Sequence, residues 1–125
     1  MIELPLSDEQ VAIYRATAKR RREQDREAEQ ERRKVGGAAA RHAAELLRTK
    51  YNATRVVVFG SLVHDGRFTR WSDVDIAAWG LAAKDSLYAL GAVMDLDVGI
   101  DVNLVDVNTS TPELLAVIEE DGIEI

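Results

Sequence analysis

The sequence predicts an α/β domain, α+β in its detail: a small mixed β-sheet packed by helices, preceded by a long N-terminal helical extension. Three observations carry this. Short apolar runs at residues 55–59, 74–79 and 100–107 have the length and composition of strands. Helical patterns stand before, between and after them, in the order helices, then strand–loop–strand–helix–strand–helix. Residues 11–34 contain neither Pro nor Gly and are rich in helix-forming charged residues. A chain of 125 residues is long enough for one compact domain and too short for two ordinary ones.

Ser7 opens the first helix, because its hydroxyl can cap and Gln10 follows three residues later as a capping box requires. Residues 20–34 are nearly all polar, and pairs such as Glu23 with Arg26 and Glu29 with Arg33 place opposite charges at helical spacing. The apolar residues of this stretch cluster at its start: Val11, Ile13, Tyr14, Ala16 and Ala18. The expectation is a solvent-exposed arm whose apolar end contacts a second copy, making a homo-oligomer, or another protein. Gly36-Gly37 predicts a break or kink, so the expected division is a charged helical extension over 1–36 and a domain over 37–125.

A second helix then carries Ala39, Ala43 and Leu47 on one stripe and ends at Asn52. His42, among its alanines, reads as structural. Arg55-Val56-Val57-Val58-Phe59 is expected as a buried central strand ended by Gly60, and residues 62–71 as a loop containing Gly66. Val74 to Trp79 forms a second strand, stopped by Gly80. Residues 85–96 fit a helix with Leu87, Leu90 and Met94 inward, and residues 100–107 a third strand. The last helix starts either at a Ser110–Glu113 capping box or at Thr111 with Pro112 in the first helical position. Leu114, Leu115 and Ile118 supply its apolar face, and Gly122 ends it. About fourteen residues join the first two strands, long for a hairpin, and long loops in compact domains often carry function.

Composition excludes several classes. No apolar run is long enough to span a bilayer. Residues 1–10 hold three acids and no basic cluster, unlike a secretory signal. Cysteine is absent, which rules out disulfides and thiolate metal sites. A cytoplasmic location is expected. The net charge of −6 is unevenly spread: residues 1–50 carry twelve Lys/Arg and nine Asp/Glu, residues 51–125 four and thirteen. An acidic second half repels a phosphate backbone, so general nucleic-acid binding is not expected. Acidic side chains around a cation behave differently, because the ion reverses the local field.

The chemistry concentrates between Phe59 and Ile76. Gly60 ends a strand where the chain must turn, and its missing Cβ lets a ligand approach. Ser61 offers a hydroxyl and a backbone N–H to a phosphate oxygen. Asp73 and Asp75 stand two apart at the start of an apolar strand and so face the same way. Two carboxylates side by side repel one another and resist desolvation, an arrangement that a cation relieves. Oxygen donors of this kind suit Mg²⁺ or Mn²⁺.

Gly60-Ser61, a spacer of about ten residues, and Ser72-Asp73-Val74-Asp75-Ile76 together resemble the minimal nucleotidyltransferases of the DNA-polymerase-β superfamily. The similarity runs from about residue 43 to 125. It implies a metal-dependent transfer of a nucleoside monophosphate, AMP from ATP foremost, to an acceptor hydroxyl. It also implies metal-binding roles for Asp73 and Asp75 and phosphate or nucleotide contacts for Gly60, Ser61 and Ser72. Members of this kind commonly accompany HEPN-type RNase toxins as antitoxins, so a toxin partner is implied too. The alternative is a domain that keeps the fold and neutralises its partner by binding alone.

Two departures bear on activity. The spacer is one residue longer than the common form, with Asp65 where glycine often stands and Gly66 following. The third acid of the family pattern falls on Asn103, which can ligate through its carbonyl oxygen but cannot accept a proton. Asp101 has the same strand parity and is the candidate substitute; Asp106 has the opposite parity and is expected as a solvated strand-end residue. His64, Arg67, Arg70 and Trp71 lie in the loop as weaker candidates for phosphate, partner or base contacts, and Trp79 is expected to pack in the core.

Overall fold

A computed structural model of the chain describes residues 5–64 and 66–125. Residues 1–4, part of the segment expected to be unlike a secretory signal, and Asp65 of the spacer lie outside the described residues. The first element is α1, Asp8–Tyr51, one unbroken helix of 44 residues. Ser7 caps it as expected: its hydroxyl accepts from the Gln10 N–H at 3.1 Å while its own N–H donates to the Gln10 side chain at 2.9 Å. Asn52 ends it in the left-handed conformation, with φ of 59°.

Gly36-Gly37 does not break this helix, contrary to expectation. The reason lies in packing. A Cβ on Gly36 would come within 3.1 Å of Leu62 and 3.2 Å of Phe68. The glycine is there so that the β1–β2 loop can press on the helix, and the flanking residues hold the helical hydrogen bonds across it.

The strands are β1, Arg55–Phe59, β2, Val74–Trp79, β3, Val102–Asp106, and a short β4, Ile123–Glu124, that sequence patterning did not announce. They form one mixed sheet in the order β3-β2-β1-β4. β1 runs antiparallel to β2 and β4, while β2 and β3 are parallel. The parallel pair needs a crossover, and α2, Ser86–Met94, supplies it. The last helix, α3, is Pro112–Asp121. Thr111 caps it, accepting from the Leu114 N–H at 3.2 Å, with Pro112 in its first turn; the Thr-Pro alternative therefore holds over the Ser110 box.

Alternation along the strands makes two apolar faces. Val56, Val58, Val74, Ile76, Val102 and Leu104 pack with the alanine stripe of α1 and with Ala89 and Val93 of α2. Val57, Phe59 and Ala77 pack on the other face with Ile118 of α3. The helix α2 is rotated from its expected setting. It buries Ala89 and Val93, whereas Leu87 and Met94 are exposed and Leu90 stands at the margin. Small residues let α2 lie close against α1 and the sheet, and that closeness outweighs the larger side chains' preference for burial. His42 is also exposed rather than packed.

Candidate active site

One end of the sheet gathers the predicted residues. Here β1 finishes while β2 and β3 begin. The register sets Asp75 across from Phe59 on one side and from Asn103 on the other. Side chains directly opposed in a ladder share a face, so Asp75 and Asn103 project together on the side covered by α3. Gly60 follows Phe59 with φ of +75°, and a Cβ there would meet the Asp75 carboxylate oxygen at 2.6 Å. Only glycine fits both the conformation and the space. The backbone then turns through one 3-10 turn, Gly60–Leu62, closed by the Val63 N–H on the Gly60 carbonyl at 3.1 Å. Ser61 is thus held over the acidic end of the sheet.

Asn103 joins the two carboxylates. Its amide nitrogen lies 3.4 Å from an Asp73 oxygen and 3.3 Å from an Asp75 oxygen. A neutral donor between two anions partly offsets their repulsion. The amide can turn over to present its carbonyl oxygen instead, since the two ends are nearly the same size. The Asp75 carboxyl is held above its ordinary value of 3.8. Partial burial is the main cause, the Asn103 hydrogen bond opposes it, and the Asp73 charge adds to it. Asp73 is exposed and Asp75 half-buried.

Two carboxylates and, with the amide turned over, the Asn103 oxygen are donors of the kind a hard divalent cation takes. Among the described residues no cluster of three or more His, Asp or Glu is placed to hold a metal. Asp101 is accordingly not gathered with the pair. It is exposed, and its backbone carbonyl accepts from the Val74 N–H at 3.0 Å. Asp106 is not a solvated strand end. It is 9% exposed and accepts from the Ser86 hydroxyl at 2.7 Å and the Asn108 N–H at 3.0 Å. Its parity turns it inward beside α2, where two donors satisfy its charge.

Ser72 shapes the approach to Asp73. Its hydroxyl accepts from the Thr69 N–H at 3.0 Å and its own N–H donates to the Thr69 carbonyl at 3.0 Å. That turn is gripped from α1, a connection the charge pattern did not reveal. Arg32 donates to the Thr69 carbonyl at 2.9 Å and to that of Ser72 at 3.3 Å. Arg33 donates to the carbonyls of Leu62, His64 and Gly66, and Glu29 accepts from the Phe68 N–H at 2.6 Å. Phe68 itself is fully buried. A loop returning from a strand leaves many carbonyls without ladder partners, and these guanidinium groups satisfy them. Phe68, flanked by Arg67 and Thr69, is the sequence sign that this part of the loop packs on something.

The remaining candidates lie at the rim. His64 sits 3.9 Å from Asp121 of α3. Arg70 stacks on Trp71, which is 79% exposed. Arg70 and Trp71, with Arg67, Phe68 and Arg32, line a cavity of about 460 Å³ between the loop and α1. Trp79 packs on the α3 face with Arg55 across its ring at 4.2 Å.

No protein-family model matches the chain, and no curated protein matches it in sequence. Solved structures do. Two crystal structures of mutants of the toxin-antitoxin MntA-HpeT contain a chain similar to this one at 21% and 22% identity, with TM-scores of 0.55 and 0.53. Each match covers 68% of this chain and 70% or 69% of the other. The α+β architecture expected from sequence is present, and the likeness to these solved structures is one of fold.

Proposed function

We propose that this chain binds a nucleoside triphosphate, ATP foremost, with Mg²⁺ or Mn²⁺, and transfers its nucleoside monophosphate to an acceptor hydroxyl. One observation carries the reading: a left-handed glycine pressed against Asp75, whose carboxylate is tied through Asn103 to that of Asp73. Asp73 and Asp75 would hold the metal, with the Asn103 amide oxygen as a third donor. The bound cation would neutralise the triphosphate and the developing charge on the leaving pyrophosphate.

The chain's own groups do the positioning. Gly60 and Ser61 present backbone N–H groups and a hydroxyl to phosphate oxygens, and the Thr69–Ser72 turn delivers Asp73. In the transfer, the acceptor oxygen bonds to the α-phosphorus, the bond from that phosphorus to the bridging oxygen breaks, and pyrophosphate leaves. The acceptor proton must go to a base. Asn103 cannot take it; Asp101 has the matching parity but stands apart from Asp73 and Asp75, so in this reading a water relays the proton to it.

A second reading rests on Asn103 and the missing third acid: a catalytically weak or inactive domain of the same fold that neutralises its partner by binding. Both readings accommodate an antitoxin role. The toxin-antitoxin setting of the similar solved structures and the resemblance to minimal nucleotidyltransferases support a protein partner, a HEPN-type RNase toxin, in the cytoplasm. The deciding experiment is transfer of labelled AMP to a co-purified partner, with Mg²⁺ or Mn²⁺. The first reading expects weak wild-type labelling, a gain in Asn103→Asp and a loss in Asp101→Asn. No labelling in any of the three, with the partner still neutralised, supports the second.

A further inference from the structure

Among the described residues two helical surfaces leave apolar side chains bare, and they lie at opposite ends of α1. One is the arm's tip, where Ile13 and Tyr14 are 64% and 63% exposed. The other is α2, where Leu87 is 81% exposed and Met94 65%. Leu87, Leu90, Gly91 and Met94 follow helical spacing and make one stripe. Glycine inside a helix is unfavourable, and a Cβ on Gly91 would meet nothing within 4 Å. No neighbour within the described chain requires that position to be small, and its bare backbone is open to close approach from outside. Beside the stripe a groove of about 480 Å³ runs between α2, β3 and α3, with Leu104, Val105 and Leu114 in its wall.

The arm cannot cover its own α2. The Tyr51 hydroxyl donates to the Tyr88 carbonyl at 3.4 Å, which places α2 beside the far end of α1. Ile13 and Tyr51 are 38 positions apart in one unbroken helix, about 57 Å at 1.5 Å per residue. The two surfaces are also of opposite charge. Residues 8–22 hold five Lys/Arg against two acids, whereas residues 84–97, which carry α2, hold one Lys and three Asp. Asp95 and Asp97, just past the stripe, are exposed, as are Arg15 and Lys19 on the arm.

We propose that the occupant of the α2 stripe is the arm tip of a second copy of this chain. Two copies with their α1 helices antiparallel bring each arm to the other's α2, so both bare surfaces of both chains are covered in one closed two-fold pair. Ile13 and Tyr14 enter the stripe around Gly91, and the basic residues of the arm face Asp95 and Asp97. Burial of apolar surface supplies the adhesion; the charges fix which surface meets which. This inference stands apart from the nucleotide reading.

Sedimentation analysis of the full chain tests it, using Ile13→Glu for the arm and Leu87→Glu for α2. Both positions are exposed, and circular dichroism checks that each variant is folded. The wild type is expected to dimerise, and to do so less tightly as salt is raised. Each variant alone should associate at least tenfold more weakly. An equimolar mixture of the two should regain association, because it keeps one intact arm and one intact α2. A monomeric wild type overturns the proposal, even if another protein then binds α2. So does a dimer that either variant leaves unchanged, or a mixture that fails to recover.

Discussion

Asp75 and Asn103 face each other directly across the parallel β2–β3 ladder, with the Asn103 amide 3.3 Å from the Asp75 carboxylate. In the pattern this sequence resembles, a third carboxylate stands where this chain has the amide. Replacing it tests what the amide contributes. Asn103→Asp removes the donor and adds a third negative charge, so the metal-free chain should lose about 1 kcal/mol, as like charges opposed across strands do. Mn²⁺ affinity should rise in the same variant. Denaturant unfolding in EDTA and a Mn²⁺ titration read the two effects. A variant as stable as wild type, with no gain in metal affinity, would show that the three side chains do not act as one site.

The Asp75 carboxyl carries a stability signature of its own. Folding raises its pKa above the ordinary 3.8, chiefly through partial burial. The folded chain therefore holds that proton more tightly than the unfolded chain does. The corresponding stability is fully present below the ordinary value and is lost as pH rises through the raised one. At neutral pH the ionised group is a net cost, so Asp75→Asn should raise the melting temperature of the metal-free protein. The rise should be modest, about 2–4 °C, because a half-exposed carboxylate is screened by solvent. The same variant should lose binding of Mg-ATP. Melting curves across pH in EDTA check this; a variant that melts below wild type at neutral pH contradicts it.

Much of this site was legible in the sequence because its geometry is local. Glycine after an apolar strand, and two aspartates at strand spacing, impose their arrangement within a few residues. The strands β1 and β2 fall on the predicted runs for the same reason. What escaped depends on contacts distant in sequence. The unbroken α1 needed knowledge that Leu62 and Phe68 would press on Gly36. The inward turn of Asp106 needed its partner Ser86, twenty residues away. The rotation of α2 was invisible because helical periodicity ranked leucine over alanine, while close packing against α1 chose Ala89 and Val93. β4 is two residues long and is a strand only because β1 offers it a free edge.

The grip of α1 on the β1–β2 loop also makes a prediction. Arg33 donates to the carbonyls of Leu62, His64 and Gly66. Arg33→Gln cannot reach all three, and the change should cost about 1–3 kcal/mol, the range for losing charge-assisted hydrogen bonds of this kind. Amide exchange should quicken in residues 62–72 before it does in the sheet. Exchange measured by mass spectrometry on the native protein checks the order. Uniform quickening across the sheet and loop would mean that Arg33 supports the whole fold and not the loop in particular.

The central claim is that Asp73 and Asp75, with Gly60 and Ser61, form a site for a metal-bound triphosphate. Without a cation, the two carboxylates repel the phosphates, and nearby Arg67 and Arg70 are too few to reverse an acidic half-chain. Calorimetric titration of ATP into the full chain, with Mg²⁺ and again in EDTA, measures this dependence directly. Binding should appear with Mg²⁺, vanish in EDTA, and be lost in the Asp73→Asn/Asp75→Asn double variant. Equal affinity with and without Mg²⁺, or normal Mg-ATP binding by the double variant, would contradict the account.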